Sequence, residues 1–140
     1  MIVGGRLLDI TSDGYERFLK IEFDNGSVLW AYGVEPSEYL EIEEDTKILT
    51  VGEKYDFKIS MEWVNEYEVI YGQPQIVEQP IKNSPHIIAQ GFVKEIIDEY
   101  SAICDFETLK GVLVEFEIKI KGINLGDQIR FSGSLRVERI

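Results

Sequence analysis

Apolar and polar side chains alternate with period two along most of this chain, and that pattern restricts it to strands. Leu19, Ile21 and Phe23 alternate with Lys20, Glu22 and Asp24, as in a strand with one buried face. Asn25-Gly26 follows, a pair that tolerates the positive φ angles of a tight hairpin. Ser27–Tyr32 is apolar on both faces. Tyr55, Phe57, Ile59, Met61 and Trp63 then form a long dry face, and Val112, Val114, Phe116, Ile118 and Ile120 form another. Ile129 and Phe131 resume the pattern after Gly126. Helix signals are confined to Pro36–Glu41, with Pro near a first helical position, and to residues 93–100, where strand plus loop fits equally well. Pro74, Pro80 and Pro85 fall within 72–85 and mark a linker or crossover.

The two sides of that crossover resemble each other. With Tyr15 set on Tyr100, an offset of 85, Gly26 falls on Gly111, and Leu19 and Ile21 fall on Cys104 and Phe106. Gly5 meets Gly91 with a one-residue slip. Val51-Gly52-Glu53 falls on Leu125-Gly126-Asp127 at an offset of 74, and Tyr55, Phe57, Met61 and Trp63 then meet Ile129, Phe131, Leu135 and Val137. The offsets differ by 11 residues, so the first copy is expected to carry an insertion of that length, placed at the acidic stretch 35–45.

The second copy resembles an OB-fold, the five-stranded Greek-key barrel. The resemblance rests on the strand opening at Gly91, the hairpin of Ala102–Phe106 with Val112–Ile120, and the turn-and-strand Leu125–Gly133. The expected class is all-β and mostly antiparallel: two related OB-like barrel halves packed together, with at most one or two short helices. The expected organisation is a half at 1–72 with the insertion at 35–45, a Pro-rich crossover at 73–85, and a half at 86–140. The cores are expected to share an interface across the crossover. OB-folds often bind single-stranded nucleic acid, which requires basic grooves and exposed aromatic platforms.

Charge points elsewhere. The chain has 14 Lys plus Arg against 26 Asp plus Glu, a net charge of −12. Residues 1–72 hold 6 bases and 16 acids, whereas residues 73–140 hold 8 and 10. Six of the eleven side chains in 35–45 are acidic. Such a field repels phosphate backbones and attracts basic proteins. Both tryptophans and six of the seven tyrosines lie in the same acidic half. Most are expected in the core, Trp30 and Trp63 included, with Tyr39 and Tyr67 on the surface. The expected partner-binding residues are Glu35, Glu38, Tyr39, Glu41, Glu43, Glu44, Asp45 and Tyr67.

Signals for chemistry are thin. One His and one Cys exclude a zinc site of the usual kind within one chain. Glu41–Asp45 lacks the glycine turn and spacing of an EF-hand. Cys104 reads as a small buried hydrophobe, with His86 its only candidate base. Asp13-Gly14 reads as a turn, and no phosphate loop is present. No catalytic residue, metal or cofactor is expected. No apolar run is long enough to span a membrane and no secretion signal is visible, so the expected location is cytoplasmic.

These readings give a non-enzymatic acidic protein that docks a basic partner, an immunity, inhibitor or nucleic-acid-mimic type facing a nuclease-type toxin or another nucleic-acid enzyme. The alternative is an OB-type single-stranded nucleic-acid module using Lys94, Lys119, Lys121, Arg130 and Arg136. Self-association through open edge strands is a further expectation.

Overall fold

Asn25-Gly26 turns the chain as its residues dictate: Gly26 takes φ 90°, and the Asn25 side chain accepts the Ser27 N–H at 2.9 Å. The computed structural model describes all residues from Met1 to Ile140. Ten strands follow in order: β1 (Ile2–Asp13), β2 (Glu16–Phe23), β3 (Val28–Val34), β4 (Lys54–Val64), β5 (Tyr67–Ile70), β6 (Ile76–Glu78), β7 (His86–Asp98), β8 (Ser101–Asp105), β9 (Val112–Phe116) and β10 (Gln128–Arg139). The fold is all-β, mostly antiparallel, and holds no helix. No helix is therefore long and apolar enough to cross a membrane.

Two five-strand rings of the OB type share two long strands. In the first ring β1 pairs with β2 and β2 with β3, all antiparallel. β3 then meets the end of β10 in parallel at Tyr32↔Arg136, and that end of β10 runs antiparallel to β4 from Arg139↔Phe57 to Leu135↔Met61. β4 closes on β1 through Lys54↔Arg6 to Lys58↔Ile2. In the second ring β7 pairs with β8 and β8 with β9. β9 meets the end of β4 in parallel at Leu113↔Ser60 and Val114↔Met61, and β5 and β7 both flank the start of β10. Each half therefore takes its closing strand from the other. The boundary expected near residue 72 is crossed by two shared strands.

The core follows this exchange. One cluster of 26 buried apolar residues spans both rings, including Leu7, Ile21 and Phe57 from the first and Val93, Cys104 and Phe131 from the second. The halves join along β4 and β10, not across the Pro-rich crossover. Residues 73–85 instead form β6 on the edge of β7 and bridge open backbone with glutamines. The Gln79 carboxamide accepts the Trp30 N–H at 2.7 Å and donates to the Trp30 carbonyl at 2.6 Å, replacing a missing rung of the ladder. Gln73 and Gln128 make the same exchange at 3.1 and 2.6 Å.

Matched hydrogen bonds align the two halves. Leu7 exchanges bonds with Gly52 and Glu53 at 2.7 and 3.0 Å, and Val93 does so with Gly126 and Asp127 at 2.8 and 2.9 Å. Gly52 and Gly126 sit at φ 96° and 86°, backbone that a side chain would strain. Tyr15 accepts from Glu35 as Tyr100 accepts from Phe116, and Gly14 accepts from Leu40 as Glu99 accepts from Ile120. The offset therefore falls from 85 at Tyr15/Tyr100 to 81 at Glu35/Phe116, 80 at Leu40/Ile120 and 74 at Glu53/Asp127. The extra length is distributed, in contrast to the single insertion expected at 35–45. Four residues lengthen the β2–β3 hairpin, one lies in 35–40, and six lie between Leu40 and Glu53.

Three local expectations also change. Pro36-Ser37 forms only a turn, because Leu40 is drawn into a bridge with Gly14 before a helix can develop. Residues 93–98 extend β7, whose partner β8 supplies the hydrogen bonds a helix would have needed. β9 stops at Phe116 and leaves Ile118 40% exposed, since β8 begins only at Ser101 and offers no partner further on.

Candidate functional site

The acidic segment divides into a braced base and a free tip. Arg17 lies buried at the start of β2 and donates to the carbonyls of Gly14, Glu16 and Glu38. It also pairs with the Glu38 carboxylate at 3.2 Å. Glu38 further accepts the Thr46 hydroxyl and the Lys47 N–H. Those two bonds first, and Arg17 after them, hold its carboxyl below the ordinary range. Glu35 accepts the Ser37 hydroxyl and pairs with Arg139 at 2.9 Å, which lowers its pKa likewise. Glu35 and Glu38 thus anchor the segment to β2 and β10.

The tip is open. Glu41, Glu43, Glu44 and Asp45 are exposed and form no ion pair. The Glu44 carboxylate accepts the Glu41 N–H at 3.0 Å, which curls the tip into a tight turn. Tyr39 is 59% exposed and packs edge-on against Tyr15, ring centroids 5.2 Å apart. Tyr67 lies apart from this group. It bonds the Lys121 backbone through its hydroxyl and packs on Phe116 at the second ring. The structure therefore brings seven of the eight expected residues to one end of the first ring and places Tyr67 elsewhere.

Sequence alternation missed a second constellation beside them. Alternation predicts an inward Trp63 after Met61. A bulge between Met61 and Val64 shifts the phase, so Val64 is buried and Trp63 is 62% exposed at φ 62°. Its indole Nε1 donates to the Tyr32 hydroxyl at 3.0 Å, and that hydroxyl donates to Glu62. Arg136 pairs with Glu62 at 2.9 Å and with Glu138 at 3.5 Å, its guanidinium 5.9 Å above the Tyr32 ring. Burial, with the Glu62 hydrogen bond, raises the Tyr32 pKa. Trp30 is also only half-buried, on the outer face beside Lys20. A shallow groove of about 390 Å³, lined by Val34, Glu35, Pro36, Arg136, Glu138 and Arg139, joins this constellation to the base of the acidic segment.

The first ring has little room inside. The space at its mouth between Arg17, Thr46, Phe57 and Arg139 is about 30 Å³, the size of one water. No three His, Cys, Asp or Glu side chains converge as metal ligands. Cys104 pairs with Val93 and Val112 in the core, and burial, with Asp105 beside it, pushes its thiol up to about 12. It is protonated at neutral pH and has no hydrogen-bond link to His86. Asp98 caps its own turn through the Tyr100 N–H and the Ser101 hydroxyl. In the basic set, Lys94 pairs with Asp105, Lys119 with Glu99, and Arg136 with Glu62. Only Lys121 and Arg130 stand without an ion pair.

Comparison with protein-family models and with curated proteins gives no match. One solved structure is similar in fold. It is the cytoplasmic molybdate-binding protein ModG, with molybdate bound, at a TM-score of 0.51 and 14% identity. The match covers 98% of this chain and 94% of that one, so the likeness extends through both rings.

Proposed function

We propose that this chain is a non-catalytic binding protein whose acidic end docks a basic protein. The observation that carries the reading is the loop at 41–45, where four carboxylates stand free of cations on a base clamped by Arg17 and Arg139. Charges held on a braced loop lose little freedom when a partner arrives. The net charge of −12 draws a basic partner in and speeds the encounter. An immunity or inhibitor protein facing a nucleic-acid enzyme fits this chemistry, because carboxylates there stand where phosphates would lie.

A second reading takes its motive from ModG: a small oxyanion as ligand. A tetrahedral dianion needs converging donors with net positive charge. Lys121 and Arg130 are the unpaired cations of the second ring's basic set, and Arg130 shares its groove with Glu66 and Glu68. That environment supports the oxyanion less than the basic protein.

Calorimetry separates these readings. The variant Glu41→Gln, Glu43→Gln, Glu44→Gln, Asp45→Asn keeps Glu35 and Glu38, so the loop stays anchored. With a nona-arginine peptide as probe, its affinity is expected to fall roughly tenfold or more at low ionic strength. An unchanged affinity would sink the proposal. Saturable heat with molybdate or with a single-stranded oligonucleotide, and none with the peptide, would replace it.

A further inference from the structure

Trp63 has a position and conformation that the fold does not require. A bulky residue at φ 62° occupies left-handed backbone that side chains avoid. An indole normally compensates for its demands by burial, yet this one is 62% exposed. Alignment sets Trp63 on Val137, but the bulge makes Val64, fully buried, the inward counterpart of Val137 at 3% exposure, and Trp63 is the extra residue. β10 passes the corresponding point in unbroken register, so the bulge that turns Trp63 outward belongs to the first half alone.

The indole is also held in place. Its edge is tied to Tyr32, Tyr32 to Glu62, and Glu62 to Arg136, so the ring is fixed while its face remains open. Fixed, exposed tryptophans are the residues that dominate protein interfaces, because little rotamer freedom is lost on contact. The surroundings specify the partner's chemistry. Arg136 is neutralised by Glu62 and Glu138, Glu138 itself is exposed, and the groove past Val34 leads to Glu35 and Pro36 at the base of the acidic segment. An aromatic face in a negative field attracts a guanidinium or ammonium group.

We propose that Trp63 is the anchor of the docking surface, its open face receiving an Arg or Lys side chain of the basic partner while the loop carboxylates engage neighbouring cations. This rests on the reading above and extends it to a contact outside the acidic loop.

Trp63→Gly tests it, because glycine suits the left-handed backbone. Two quantities are measured: the Tm, and the affinity for the nona-arginine peptide. The expected result is a Tm equal to or above that of the parent protein, with affinity lowered about tenfold. Trp63→Phe, which keeps a ring, is expected to retain most of the affinity. If Trp63→Gly binds as the parent does while the loop-neutralised variant does not, Trp63 is no anchor and the docking reading survives. A fall in Tm with Trp63→Gly would assign it a structural role and overturn the inference. Absence of peptide binding by the parent protein would remove the inference and the reading together.

Discussion

Glu38 and Glu41 are three residues apart and look alike in sequence, yet they do different work. Glu38 holds the loop through Thr46, Lys47 and Arg17, whereas Glu41 faces solvent. The difference is a matter of long-range partners. Arg17 is 21 positions from Glu38, and Arg139 is 104 from Glu35. No local pattern reveals such pairs, so the whole acidic run reads as one surface. Trp63 was illegible for a related reason: alternation assumes a regular strand, and one bulged residue inverts everything after it. The anchoring acids make a pH prediction. Their pKa values are depressed in the folded chain, so they stabilise the loop above the ordinary carboxylate value of 4.5. That contribution is lost as pH falls through their lower folded values. The Lys47 amide, which donates to Glu38 at 3.0 Å, is expected to lose hydrogen-exchange protection below pH 4.5, before the strands do. Protection that persists until global unfolding would show that Glu38 does not brace the loop.

At the scale of elements, turns and alternation were legible and strand exchange was not. Gly52-Glu53 and Gly126-Asp127 announced two equivalent turns, and the structure gives them matching hydrogen bonds. The pairing of Met61 with Leu135 ends the β4–β10 ladder that joins the rings. Sequence alignment had set those two residues on each other, but alignment cannot say that they touch. The exchange makes each half incomplete. Residues 1–72 lack the strand that lies between β3 and β4 in the first ring, and residues 73–140 lack the one beside β9. Each fragment alone is expected to be unfolded by circular dichroism, and an equimolar mixture to recover strand signal. A fragment that folds alone with a cooperative transition would contradict the interdependence of the rings.

For the whole molecule, the fold class was readable because period-two patterning covers most of the chain and helix signals are confined to Pro36–Glu41 and residues 93–100. The placement of charge was readable too: the acidic half is the half with the free loop. What the sequence left open is which acids remain available once the fold has used some for itself. The structure leaves two open features on the first ring, the carboxylates of Glu41–Asp45 and the exposed Trp63, with a groove between Glu35 and Arg136 on the Trp63 side. The most direct test is an amide hydrogen-exchange footprint of the full chain with and without the nona-arginine peptide. Docking through the acidic loop and Trp63 predicts protection concentrated at 39–47 and at 62–64, with the β7–β8 hairpin unchanged. Protection centred on β7–β9, or none at a saturating concentration of peptide, would contradict it.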